Sequence, residues 1–362
     1  MTRIWPRHEQ DEIDAVTAVL RSGATNYYTG TDGASFEREW ASYVGVPHAL
    51  TCSNGTTALE LALSACLEGG RGWEVIVPSR TFVATASAVV TAGGTPVLAD
   101  IDRETLNVTA ETLEARRTPL TRGVVVVHYA GLPARMVEIV EWARSRRLFV
   151  VEDCAHAHGA RIDGRSVGTF GDVGCWSMCV GKIMSTGGEG GMVVTANARL
   201  ARLMAQRRDH GRFQMAGSPE TRGFMYTVDV PGSNARQTEM QSAIGRRQLL
   251  KLDGWVRRRR EIAAVYDVAF GVPPRVESVR YMYLMRVTAE QKERLLADDR
   301  AWAAGVRYGG CGNIGRERAF AGSAACPEGD ASDAEVVMLP VYPTMDDAAV
   351  AEVVEAVKVV LG

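Results

Sequence analysis

The sequence predicts an α/β fold: a mostly parallel, buried sheet with helices on both faces. Short apolar runs alternate with amphipathic stretches as far as residue 270, the order that parallel sheets require. The runs, such as "EVIVP", "GVVVV" and "LFVV", are continuous, as strands covered on both faces are. The chain of 362 residues, 46% hydrophobic and 23% charged, is long enough for a large core and two lobes.

Each element follows from its pattern. "DEIDAVTAVLRSG" has helical spacing, and "NYYTGTDGASFEREWASYVGV" reads as a loop followed by a second helix. "HALTCSNGTTALELALSAC" is strand, small-residue turn and helix, and "EVIVPSRTFVATASAVVTAGGTPVLADID" repeats that order. "GVVVVHYAG" is a buried strand, "MVEIVEWARSRR" a helix and "LFVVEDCA" another strand. After residue 270 the pattern weakens: "RYMYLMRV" reads as a strand of a smaller terminal lobe and "DDAAVAEVVEAVKVV" as a closing amphipathic helix. The basic run "VRRRREIAAVY" is expected to be the solvated face of a helix.

Composition excludes several classes. A formal net charge of -2 without long single-sign runs offers no broad footprint for nucleic acid. No apolar run approaches the roughly 20 residues that span a bilayer, and "MTRIWPRHEQDE" lacks a signal peptide's apolar stretch, so a cytoplasmic protein without membrane contact is expected. Seven cysteines at irregular spacings fit reduced thiols better than a disulfide framework.

The stretch "GKIMSTGGEGG" carries the first chemical signal. Only four of the 41 cationic side chains are lysines, and one, Lys182, sits here among glycines. The segment lacks the first glycine of a Walker loop, places Ile183 where a magnesium-holding hydroxyl belongs, and does not match G-x-G-x-x-G. A lysine in such a setting can form a Schiff base with an aldehyde cofactor, which points to pyridoxal phosphate; standing alone, it would be a surface lysine in a loop. The other parts such a site needs are present. Asp153, at the end of an apolar run, can keep a pyridine nitrogen protonated, while Glu152 points to the opposite face of a regular strand. Gly55, Thr56 and Thr57 stand at the mouth of a helix, where a phosphate binds, and Phe82 follows a strand where it can stack on a ring.

The order and wording of these pieces resemble the DegT/DnrJ/EryC1/StrS family of pyridoxal phosphate-dependent aminotransferases. The resemblance runs from residue 26 to the C-terminus, on "NGTTALELAL", "VPSRTFVATASAVVTAGGTPVLADID", "EDCAHAHGA", "VGTFGDVGCWSMCVGKIMSTGGEGGMVVT", "RDHGR" and "GSNARQTEMQSAIGRRQL". It implies the type I aminotransferase fold, with a large domain (residues 1–245, including an N-terminal helical segment) on a mainly parallel seven-stranded sheet, and a smaller C-terminal α/β domain (residues 246–362). It implies a homodimer with shared active sites. By resemblance Lys182 carries the cofactor and shuttles the proton, Asp153 faces the pyridine nitrogen, and His156 lies beside the phenolic oxygen. Gly55, Thr56 and Ser177 hold the phosphate, Phe82 stacks on the ring, and Asn234 reaches the partner's phosphate. Arg236 receives the amino donor's carboxylate, a pairing suited to guanidinium, and Tyr28 borders the substrate.

One branch of the family replaces the lysine with histidine and becomes a dehydratase; here the lysine is retained, so transamination is expected. The donor would be L-glutamate or L-glutamine and the acceptor a nucleotide-linked keto sugar, a reading that arginines of "RDHGRF" near the acceptor mouth would favour. A free keto cyclitol, or a noncatalytic relative that binds the cofactor, are the alternatives. His156 and His158 in "HAH" lack the convergent ligands of a zinc site, and no metal is expected. The stretch "VRYGGCGNIGRERAF" departs from the family's "HYPPP"-like run and leaves the acceptor open.

Overall fold

A computed structural model describes residues 5–68, 70, 72–213, 227–320 and 324–362. After helices α1 (Gln10–Ser22) and α2 (Asp32–Val44), the chain alternates through β1 (His48–Cys52), α3 (Gly55–Leu67), β2 (Glu74–Pro78), α4 (Ala84–Thr91) and β3 (Thr95–Ala99). It continues with α5 (Ala110–Glu114), β4 (Thr121–Val127), α6 (Met136–Ser145) and β5 (Phe149–Asp153). A small hairpin, β6 (Arg161–Ile162) and β7 (Arg165–Ser166), leads to β8 (Val173–Ser177), β9 (Gly191–Thr195) and α7 (Ala198–Arg208). The short pair β10 (Arg212–Phe213) and β11 (Thr227–Val228) precedes the 32-residue helix α8 (Glu239–Phe270). Then come β12 (Tyr283–Arg286), α9 (Ala289–Ala297), α10 (Asp299–Ala303), β13 (Arg307–Tyr308), α11 (Pro327–Glu335), β14 (Val336–Leu339) and α12 (Asp347–Leu361).

The large sheet has seven strands in the order β1-β9-β8-β5-β4-β2-β3. Its five strands from β8 to β3 run parallel, and β9 pairs antiparallel with both β1 and β8. The expected mainly parallel seven-stranded α/β sheet is present. β2 and β5 are buried at every residue but the first, and β4 at every residue but the second, which accounts for the unbroken apolar runs. On one face, side chains of α3 and α4 pack on Val75, Val77, Val125 and Val151; on the other, α6 packs on Ile76, Val124, Val126 and Val150. A separate core forms around β12 and β14 from Tyr283, Met285, Val337 and Leu339, closed by Val350, Val353 and Val357 of α12.

Helix α8 joins the two cores. Its N-cap Thr238 and Gln241 form a capping box, and Gly271 ends it in the left-handed conformation (φ 64°). The position 245/246 lies inside this helix. The basic run is only partly a solvated face: Arg257 and Arg260 are exposed, but Arg259 is buried, its Nη1 donating to the carbonyls of Tyr281 and Val341. The helical phase of the run turns its third arginine inward. No helix among the described residues is long and apolar enough to cross a membrane.

Candidate active site

Asp153 ends β5, and its neighbours explain its state. Its two oxygens accept from the Thr85 hydroxyl (2.9 Å) and the Ala155 amide (3.1 Å). Burial pushes its carboxyl above the usual range, against the pull of those bonds and of Lys182. A cationic group placed against it would favour the carboxylate. Glu152, one residue earlier, turns to the other face as the strand period requires.

The phosphate-sized corner is built by close approach. Asn54 caps α3, its side chain accepting from the Thr57 amide at 2.8 Å, so the first-turn amides of Gly55 and Thr56 point past the helix end without an intrahelical acceptor. A Cβ on Gly55 would come within 2.4 Å of the Ser177 Cβ, so only glycine lets the helix start settle against that serine. Gly181 has a different role: its φ of +92° is a left-handed turn, with open space where a side chain would be, that swings the chain into Lys182.

Lys182 Nζ lies over the ring of Tyr281, 5.0 Å from its centroid. The same ring stacks on His156 (4.5 Å, 22°). His156 is buried, its Nδ1 lacks a hydrogen-bond partner, and burial together with the Lys182 charge holds it well below the usual histidine range, so it is neutral. Burial likewise lowers His158 to about 3.

Lys182, Asp153, His156, Ser177, Gly55, Thr56 and Phe82 all line one cavity of about 1360 Å³, between the carboxyl ends of the parallel strands and the second core. Phe82 is 59% exposed at its rim. The far wall comes from Gly310–Gly312, which Arg80 and Tyr129 hold through the carbonyls of Gly309 (2.6 Å) and Cys311 (2.7 Å). Asn234, Arg236 and Tyr28 do not line this cavity. Asn234 is exposed on a neighbouring cleft beside Thr57, and Arg236 pairs with Asp209, which also accepts from the Tyr28 hydroxyl. Arg208 of "RDHGRF" is buried against Glu37 (2.5 Å) and the Thr51 carbonyl (2.8 Å), a structural pairing that does not line this cavity.

Sequence reasoning missed Thr85, Tyr281 and Trp5. Thr85 stood in a quoted stretch without a role. Tyr281 was read as strand, yet the left-handed Arg280 (φ 51°) breaks the chain just before it. Nothing in the sequence placed Trp5 in the cavity wall.

The site fits pyridoxal phosphate: an orphaned buried nitrogen on His156, a carboxylate that lacks a cation, a helix start closed on a serine, and a lysine share one cavity. Comparison with known proteins agrees. The model of the DegT/DnrJ/EryC1/StrS aminotransferase family matches residues 6–358. The UDP-N-acetyl-3-dehydro-alpha-D-glucosamine 3-aminotransferase of Acidithiobacillus ferrooxidans is 35% identical over 341 residues, 92% of this chain and 89% of that one. The L-glutamine:2-deoxy-scyllo-inosose aminotransferase of Streptomyces kanamyceticus is 40% identical over 272 residues, 73% of this chain and 63% of that one. The X-ray structure of an aminotransferase from Psychrobacter cryohalolentis superposes with a TM-score of 0.94 at 35% identity, covering 99% of this chain and 98% of that one.

Proposed function

The chain belongs to the DegT/DnrJ/EryC1/StrS aminotransferase family, and from that premise we propose that it moves the amino group of L-glutamate or L-glutamine to a nucleotide-linked keto sugar, using pyridoxal 5'-phosphate. One observation carries this reading: the lysine, the buried aspartate and the helix start share a cavity of about 1360 Å³. That exceeds the roughly 300–1,000 Å³ of a pocket for one small ligand, and leaves space for a sugar beside a cofactor.

When bound, the cofactor supplies a conjugated ring that takes up the electron pair released at the substrate carbon. The chain's own residues do the rest. Lys182 Nζ moves the proton at the carbon that loses or gains nitrogen, and Asp153, steadied by Thr85 and Ala155, keeps a proton on the ring nitrogen. Neutral His156 hydrogen-bonds the phenolic oxygen. Gly55, Thr56 and Ser177 hold the phosphate, and Phe82 covers the ring. In the homodimer we propose, Asn234 and Arg236 of one protomer serve the other's cavity, Asn234 at the phosphate and Arg236 at the donor carboxylate, with Tyr28 beside the substrate.

A second reading, a free keto cyclitol as acceptor, draws on the charge of the wall. Among the described lining residues, Glu60, Glu189 and Glu317 join Asp153, against two cations, Lys182 and Arg259. A polyhydroxylated neutral ring suits carboxylates, whereas a diphosphate needs cations from elsewhere.

The test is the absorption spectrum of the purified protein with L-glutamate or L-glutamine, beside Lys182→Ala. A visible band that the donor bleaches in the wild type, and that the variant lacks, supports transamination; a bound cofactor that no donor converts returns the chain to a noncatalytic role. Recovery of the band with a UDP-linked keto sugar but not with 2-deoxy-scyllo-inosose, or the reverse, then separates the two acceptors.

A further inference from the structure

We propose that the segment from Trp5 to Glu12 is a strap that fixes the backbone of the Lys182 loop, with Trp5 and Glu12 as positioning residues. The inference rests on Lys182 being the cofactor-bearing residue.

Two separate contacts carry it. Trp5 is buried in the cavity wall, and its indole Nε1 donates to the backbone carbonyl of Lys182 itself at 2.9 Å. The ring is held edge-on by Trp255 (5.0 Å between centroids), with the guanidinium of Arg259 over it (5.6 Å). Three residues past the lysine, the Ser185 amide donates to Gln248 Oε1 at 2.8 Å, and Gln248 Nε2 donates to the buried Glu12 at 3.2 Å. Glu12 is itself pinned by Lys251 (3.0 Å) and the Glu9 amide (2.6 Å). The strap thus bonds Lys182 directly and Ser185 through one glutamine.

The need for it follows from the loop's composition. Gly181, Gly187 and Gly188 all have positive φ, so the segment bearing the amine has more conformational freedom to lose than any ordinary loop. Backbone bonds on both sides of Ile183–Met184, one from Trp5 and one from Gln248 of α8 that Glu12 holds, remove that freedom. A side chain that only filled space would not need its one polar atom on the lysine's carbonyl.

The test uses Trp5→Phe, which keeps an aromatic ring and loses the N–H, and Glu12→Ala. Amide hydrogen exchange is followed in cofactor-free protein over residues 181–187, alongside β5 and α12, and cofactor affinity is measured by titration. Loss of one such bond should speed exchange over 181–187 by about tenfold and weaken cofactor binding by about 3- to 10-fold, with β5 and α12 unchanged. Unchanged exchange at 181–187 overturns the proposal, and so does equal acceleration everywhere, the mark of a general stability role. A wild-type protein without a Lys182-dependent band overturns the functional reading, and the strap's meaning with it, even where exchange changes locally.

Discussion

Glu152 and Asp153 are adjacent carboxylates at the end of one strand, and their surroundings are opposites. Glu152 accepts from the amides of Gly168, Phe170 and Gly171, each at 2.7 Å, and pairs with His128 Nε2 at 3.0 Å. His128 Nδ1 accepts the Ala134 amide, which leaves Nε2 to carry the proton it donates to Glu152. Asp153, also buried, has one hydroxyl and one amide. A saturated carboxylate ties backbone together, while an under-supplied one faces a cavity and waits for a cation.

That contrast breaks most readily at Asp153. Asp153→Asn should lower kcat/KM by about a thousandfold or more, the scale of lost ring-nitrogen protonation, while the melting temperature of the cofactor-free protein holds or rises, because a buried charge is removed. Steady-state kinetics and calorimetry on one preparation test both halves; a parallel loss of stability would make Asp153 a scaffold residue like its neighbour. Glu152→Gln should do the reverse. The new amide nitrogen meets two donors whichever way it turns, the Phe170 and Gly171 amides or the Gly168 amide and His128 Nε2, and should cost about 3 kcal/mol in chemical denaturation, with turnover per folded molecule retained.

Protonation sharpens the comparison next. Burial holds His158, five residues past Asp153, at about 3, below its ordinary value, so the unfolded chain takes up the proton first. Its stabilisation is full above about pH 6.5 and is lost as the pH falls towards 3, about 2 kcal/mol of it by pH 5. Asp153, raised by burial, has the opposite sign: its contribution is present at low pH and fades as the pH climbs through its raised value. Denaturation curves of His158→Leu should show the acid limb flattened by about that amount; an unaltered limb would place the proton uptake elsewhere. The smallest effect belongs to Thr85→Val, which removes one of the two donors to Asp153 and should cost about 1 kcal/mol, read as a several-fold fall in kcat with KM little changed. A KM effect alone would argue that Thr85 touches substrate.

Much of this was legible in the sequence because it was local. The strands declared themselves through unbroken apolar runs, Asp153 and the Gly55–Thr57 turn each sat at a strand or helix end that their own neighbours defined, and Lys182 stood out by its glycine-rich surroundings. The facing of Glu152 followed from strand period alone. What was hidden is what only tertiary packing decides. Arg259 lies in a run of four arginines that composition cannot phase, Tyr281 enters the cavity because Arg280 turns left-handed, and Trp5 meets Lys182 across 177 residues. Asn234 and Arg236 were legible as motif, yet neither lines the cavity that holds Lys182.

Helix α8 begins where Glu239 accepts the first amides of α2, passes Gln248 behind the lysine loop and Arg259 at the cavity wall, and ends in the second core at Tyr266. At 32 residues it is a strut of about 48 Å. A strut of that kind transmits displacement instead of absorbing it. Any swing of the C-terminal lobe over a bound sugar would pull on the same rod that backs the lysine, so closure and alignment of the amine would be a single mechanical event.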